Sequence, residues 1–204
     1  MIFMKVKWQK KNYDYYFILK LFCLESLIQN GIKKNYEHLK RDFLTTYGFE
    51  NIVLWNNLEK LKILKKSEKS NFNFEKLTKY LKLIIENINL LEADDASYAY
   101  NGYCPITIRI IEKGIKVGFS KLKSLIDMLP GESYFGKSDQ EILSVKEKKF
   151  ILLVYIGGIT YGEIAAIRYL NETMQFFKFI ILTTGIISTK KFFQSLSLKN
   201  EDFS

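Results

Sequence analysis

Histidine and cysteine are almost missing from this 204-residue chain: His38 is the single histidine, and Cys23 and Cys104 are the two cysteines. The cysteines form no Cys-x-x-Cys pair and are too sparse for a disulfide scaffold, so both read as buried, reduced thiols. A zinc site of nitrogen and sulfur ligands would need nearly all three residues to converge, and an acyl-transfer triad would have one candidate base. No catalytic residue, metal site or cofactor is therefore expected. Arginine is scarce as well, with Arg41, Arg109 and Arg168 set among lysines that supply nearly all of the positive charge behind a formal net of +9. Readers of bases and phosphates favour the bidentate guanidinium fork, and these lysines are scattered among asparagines along the whole chain. The charge reads as compositional bias, and no nucleic-acid partner is expected. Long apolar runs are absent too: the longest, 150–159, falls well short of the roughly 20 residues of a membrane span. Residues 1–10 carry Lys5, Lys7 and Lys10 but no apolar signal core, so a cytoplasmic protein is expected.

What is present is a chain 48% hydrophobic, enough to bury one ordinary core or two small ones. Apolar spacing predicts a helix over 13–29, with Tyr16, Leu19, Leu24, Leu27 and Ile28 on one wide face and Asn30-Gly31 as its stop. A second is predicted over 33–45, with Tyr36, Leu39 and Phe43 on a stripe and Gly48 closing it. A third, over 49–61, carries Phe49, Ile52, Val53, Leu58 and Leu61. After a polar loop at 67–73, a fourth helix over 74–91 is read from Leu77, Leu81, Ile84, Ile85 and Ile88. An ordered connector over 93–104 leads to Pro105, suited to the first position of a helix through 113. Ser120 is a cap for a short helix through 129, stopped by Pro130-Gly131.

Residues 132–149 are charged and turn-rich and mark a domain crossing, which divides the chain into 1–131, 132–149 and 150–204. Beyond it the run 150–156 is continuously apolar and rich in branched residues, as in a parallel strand buried on both faces. Thr160 and Glu163 form a capping box for a helix through 171. A second such strand is predicted over 177–183, and Ser188 or Thr189 caps a last helix through 196. The fold class is thus α/β: a mainly helical segment, then a terminal strand-helix-strand-helix unit with the usual right-handed crossover. Two such strands cannot complete a sheet. Another part of a longer protein, or a partner, has to supply the rest.

Two motifs invite functional readings. Gly157 and Gly158 lie between strand and helix, but with Gly162 they match neither G-x-G-x-x-G nor a P-loop, and Glu163 in the first helical turn would repel phosphate. The stretch 33–66 could be a basic winged-helix nucleic-acid binder, the alternative function. Against it, Phe49, Ile52, Val53, Leu54 and Trp55 make its recognition helix too apolar for a phosphate-lined groove.

Several segments resemble the Sec-one/Munc-eighteen family of membrane-fusion proteins. The run from Ile151 through Gly157-Gly158-Ile159-Thr160-Tyr161-Gly162-Glu163 to Leu170 is similar to that family's C-terminal signature, a hydrophobic strand followed by Gly-Gly-Val/Ile-Thr-aromatic-x-Glu. The stretch Ser97-Tyr98-Ala99-Tyr100-Asn101-Gly102-Tyr103-Cys104-Pro105 resembles the vacuolar-sorting branch numbered thirty-three, departing at Asn101 and Cys104, where that branch usually has Ser and Ala. Leu129-Pro130-Gly131, the stretch from Leu44 to Ile52, and Asn57-Leu58-Glu59-Lys60 fit as well, so the likeness runs collinearly from Tyr16 to Leu196. It implies an adaptor that handles SNARE proteins within HOPS and CORVET tethers, peripheral on late endosome, lysosome or vacuole membranes, with its main SNARE surfaces in regions ahead of this segment. It also implies a platform for the tether subunit numbered sixteen, on which Lys40, Phe49 and Ile52 would lie.

Overall fold

The computed structural model describes residues 13–67, 74–89, 92–129, 131–134, 136 and 149–197. Its elements, in order, are α1 (Tyr15–Ile28), α2 (Tyr36–Tyr47), α3 (Ile52–Lys60), α4 (Phe74–Leu81), α5 (Ile106–Val117), α6 (Lys123–Ile126), β1 (Lys149–Tyr155), α7 (Tyr161–Thr173), β2 (Phe177–Thr183) and α8 (Thr189–Leu196). The class is mixed α/β with helices dominating, as expected. The chain forms two compact units, Met1–Phe74 with Ser188–Ser204, and Glu75–Ile187.

The first unit is built around Trp55 of α3, which is fully buried, with the rings of Phe43 and Phe22 at centroid distances of 5.3 and 6.2 Å. α8 completes this core: Phe193 stacks on Tyr16 at 5.9 Å, and the Asn57 side-chain amide donates to the Leu196 carbonyl at 2.8 Å. α1 turns a different face inward from the one predicted. Ile18, Leu19, Phe22, Cys23 and Ser26 are buried, whereas Leu24, Leu27 and Ile28 are exposed. The helix is apolar almost all round, so spacing offers two stripes and cannot choose between them. Ser26 is part of the choice, because its hydroxyl accepts the Lys65 N–H at 3.1 Å. Burial pushes the Cys23 thiol up to about 12, so it is inert as a nucleophile.

α2 begins at Tyr36, later than predicted, because Asn35 sits in the left-handed region at φ 58° and breaks the helical path. Gly31 has φ +107°, and the backbone of Lys66 and Ser67 lies where a β-carbon would project, alongside the Ile32–Lys66 bridge. Both conditions demand glycine. Gly31→Ala should lower stability by about 1 kcal/mol or more, read from urea melts; an unchanged midpoint would mean that this crossing is loosely held.

In the second unit α4 stops at Leu81, ten residues before the predicted end at 91. Lys82 takes φ 53°, and the following backbone leaves the helix to pair with 102–104: Cys104 N–H donates to the Leu83 carbonyl and Ile85 N–H to the Gly102 carbonyl, each at 2.8 Å. Leu83 is therefore core and Ile84 exposed. Long-range pairing has overridden a helical pattern that Ile84, Ile85 and Ile88 continue. Pro105 is the cap of α5 and not its first residue, and α5 runs on to Val117. Ser120 falls inside a 3₁₀ turn, Phe119–Leu122, and does not cap; the helix after it ends at Ile126. Pro130, the predicted stop, and all of the polar loop predicted at 67–73 except Ser67 lie outside the described residues, as does most of 132–149.

β1 and β2 pair in parallel, with Ile151 opposite Phe179 and Leu153 opposite Ile181. Phe179 is buried, and Ile151, Leu153, Phe177 and Ile181 pack with it into a core containing Ala166, Ile167 and Leu170 of α7. Burial on both faces does not hold among the described residues. Phe150, Leu152, Val154, Ile180 and Leu182 alternate with the covered positions and face outward, Phe150 at 71% exposure. Parallel strands rarely leave such a face open, and soluble monomers rarely tolerate such a patch. The isolated chain should bind a hydrophobic dye strongly and aggregate, and Leu152→Ser with Ile180→Ser should reduce the dye signal. A monodisperse, dye-silent chain would contradict this.

Candidate functional site

The predicted partner residues lie in the first unit, around the junction of α2 and α3. Gly48 closes α2 with φ 106°, its N–H donating to the Leu44 carbonyl at 3.0 Å, and a 3₁₀ turn, Phe49–Asn51, leads straight into α3. That sharp corner, open to glycine because of the positive φ, sets Phe49 outward with 66% of its surface exposed. Ile52, three residues on, is 40% exposed, and its N–H bonds the Phe49 carbonyl. The α3 residues turned inward are Leu54, Trp55 and Leu58. Phe49 and Ile52 are therefore surface residues of the unit, not core.

Lys40 is held differently. Its ammonium donates to Glu59 at 3.0 Å and to the Asn56 side-chain carbonyl at 3.0 Å. Asn56 is one helical turn beyond Ile52, so the cation lies on the same side of α3 as the exposed pair. Glu59 also accepts the Tyr36 hydroxyl at 2.6 Å and the Trp55 indole N–H at 3.0 Å. Burial alone would raise the Glu59 carboxyl; the bonds from Tyr36, Lys40 and Trp55, with the Lys40 charge, outweigh it and hold the group below its usual value. Burial and then the Glu59 bond push the Tyr36 phenol up. This cluster escaped the sequence reading. The Trp55-Glu59 spacing of one helical turn was visible; the Tyr36 and Lys40 partners come from another helix.

His38 is exposed and its Nδ1 meets the Arg41 guanidinium at 2.7 Å. Among the described residues no group of three His, Cys, Asp or Glu side chains could hold a metal ion.

In the second unit the glycine turn has a mechanical explanation. Gly157 and Gly158 have φ of 99° and 116°, Gly157 N–H donates to the Thr184 hydroxyl at 3.0 Å, and Ile187 crowds Gly158. The capping box is formed: Thr160 Oγ1 accepts the Glu163 N–H at 3.2 Å, and the Glu163 carboxylate accepts the Thr160 N–H at 3.0 Å. The other Glu163 oxygen accepts from Thr107 at 2.9 Å, and Tyr100 bonds the Thr160 hydroxyl. The carboxylate at this helix start thus serves internal bonds.

The Sec1 family sequence model matches residues 3–195. The chain belongs to the Sec1 family. Vacuolar protein-sorting-associated protein 33 homolog of Arabidopsis thaliana is 34% identical over 190 residues, covering 84% of this chain and 31% of that protein. Vacuolar protein sorting-associated protein 33A of Rattus norvegicus is 31% identical over 189 residues, covering 89% and 32%. The protein numbered 33 of Schizosaccharomyces pombe is 28% identical over 188 residues. The chain spans about a third of the length of these curated relatives. Within this Sec1 segment the strand-turn-helix signature coincides with the β1–α7 corner, where its glycines make the turn and its Thr and Glu make the cap.

Proposed function

We propose that this chain is part of a vacuolar-sorting protein of the thirty-three type, an adaptor with no catalysis of its own, and that its first unit docks onto the tether subunit numbered sixteen. The observation that carries this is Phe49, an aromatic ring 66% exposed at the corner between α2 and α3, with Ile52 beside it. Aromatic anchors of this kind dominate interface energetics. The names of the relatives support a place in vacuolar sorting. In this reading SNARE handling, in tethers of the HOPS and CORVET type, belongs to the longer protein, and β1, α7 and β2 are the closing part of a larger α/β domain. The uncovered sheet face suits burial by the remainder of such a domain. The protein would act from the cytoplasm, peripheral to late endosome, lysosome or vacuole membranes; among the described residues no helix is long and apolar enough to cross one. α3 commits Leu54, Trp55 and Leu58 to the core and turns Ile52 outward, which suits a protein partner better than the winged-helix alternative. Mixed with the helical solenoid of a sixteen-type subunit, the chain should co-migrate on gel filtration. Separate elution at micromolar concentrations would overturn the docking.

A further inference from the structure

We propose that Asn51 is the positioning residue of this docking face: its side-chain amide fixes the corner that presents Phe49. The inference rests on the docking reading above. An exposed ring at 66% has little side-chain packing to hold it, so its direction is set by the backbone on either side. On one side is the end of α2, whose last carbonyls have no partner within the helix; on the other is the start of α3. Asn51 Nδ2 donates to the Tyr47 carbonyl at 3.0 Å and to the Gly48 carbonyl at 3.3 Å, and its own N–H also reaches the Gly48 carbonyl at 3.3 Å. One half-buried side chain therefore ties the two helix ends together across Phe49. Gly48, at φ 106°, supplies the bend and an accepting carbonyl, and the Asn51 side chain alone reaches past it to the Tyr47 carbonyl at the end of α2.

A corner held in this way is preorganised, and a partner loses less ordering entropy on meeting it. Asn51→Ala removes the ties, and Asn51→Asp keeps the size but removes both donors. Each should weaken binding to the sixteen-type solenoid by about tenfold, the scale of two net hydrogen bonds. Amide exchange at Asn51 and Ile52, whose N–H groups bond the Gly48 and Phe49 carbonyls, should quicken while exchange at Leu54 and Trp55, in the core helix, stays at the parent rate. Unchanged affinity in both variants overturns the inference, and so does weaker binding accompanied by faster exchange through all of α3, which would make Asn51 a folding residue. The two readings separate cleanly. If the parent chain does not bind, docking fails and positioning falls with it; if the parent binds, Phe49→Asp does not, and both Asn51 variants bind like the parent, positioning alone fails.

Discussion

Arg109→Met should destabilise the second unit by about 3–5 kcal/mol, the penalty for stripping one partner from a buried ionic cluster. Arg109 is 4% exposed. Its guanidinium makes a forked pair with Asp95 at 2.7 and 2.8 Å, meets Glu112 at 2.7 Å, and donates from Nε to the Lys82 carbonyl at 3.2 Å. It thereby joins α5 to the end of α4 and to the connector before the 3₁₀ turn Ala96–Tyr100. Methionine fills much of the volume but leaves the part-buried Asp95 carboxylate with its Ser97 bond and without the Arg109 cation, while Glu112 retains Lys116 at 2.7 Å. Arg109→Lys should recover part of the loss, since a single ammonium cannot reproduce the fork. Urea denaturation measures both variants. A loss below about 1 kcal/mol, the surface-pair range, would show that water already screens the cluster.

The same cluster gives a pH dependence of definite sign. Burial would raise the Asp95 and Glu112 carboxyls, but hydrogen bonds from Arg109 and Ser97 to the first, and from Lys116 and Arg109 to the second, hold both below their ordinary values. Groups depressed in the folded state bind fewer protons there than in the unfolded chain. Their stabilisation is fully present above the unfolded carboxylate range, about 4, and is lost as pH falls through the lower folded values. The gap between parent and Arg109→Met should therefore be widest near neutrality and narrow in acid.

Features settled by neighbours in sequence were legible in advance. The Thr160-Glu163 cap, the positions of the two strands and the stop at Gly48 each depend on a few consecutive residues, and each forms, although the strands are covered on one face and not on both. Features settled by distant segments were not. α8 follows β2 in sequence yet places Phe193 in the core around Trp55, and nothing in 189–196 names its destination. α4 ends early because 83–85 finds backbone partners at 102–104. The inward face of α1 was chosen by the helices it meets. At the candidate site, spacing put Phe49 and Ile52 on one side, but only the packing of Trp55 decides which side is solvent. For Lys40 the resemblance implies a place on that platform but not its partners, since Asn56 and Glu59 are sixteen and nineteen residues away.

Phe49→Asp should weaken binding to the sixteen-type subunit by about 30-fold or more, roughly 2 kcal/mol, without lowering the melting temperature. In the free chain the ring is 66% exposed, so an aspartate there is hydrated and costs the fold little. Once a partner covers the corner, the carboxylate is desolvated among apolar groups with no cation to meet it. Ile52→Lys should act in the same direction but less strongly, because at 40% exposure the side chain has less surface left to give up and a lysine can extend its ammonium towards solvent. Lys40→Asp should behave differently from both. It sets a second carboxylate beside Glu59, whose low-lying carboxyl depends on the Lys40 ammonium after the Tyr36 bond, so it should lower the melt as well as the affinity. Calorimetric titration and thermal melts of the three variants separate these cases. Loss of affinity at constant melting temperature for Phe49→Asp places the ring on the partner face; a melt that falls in step with affinity would place it in the structure of the unit and remove the docking surface.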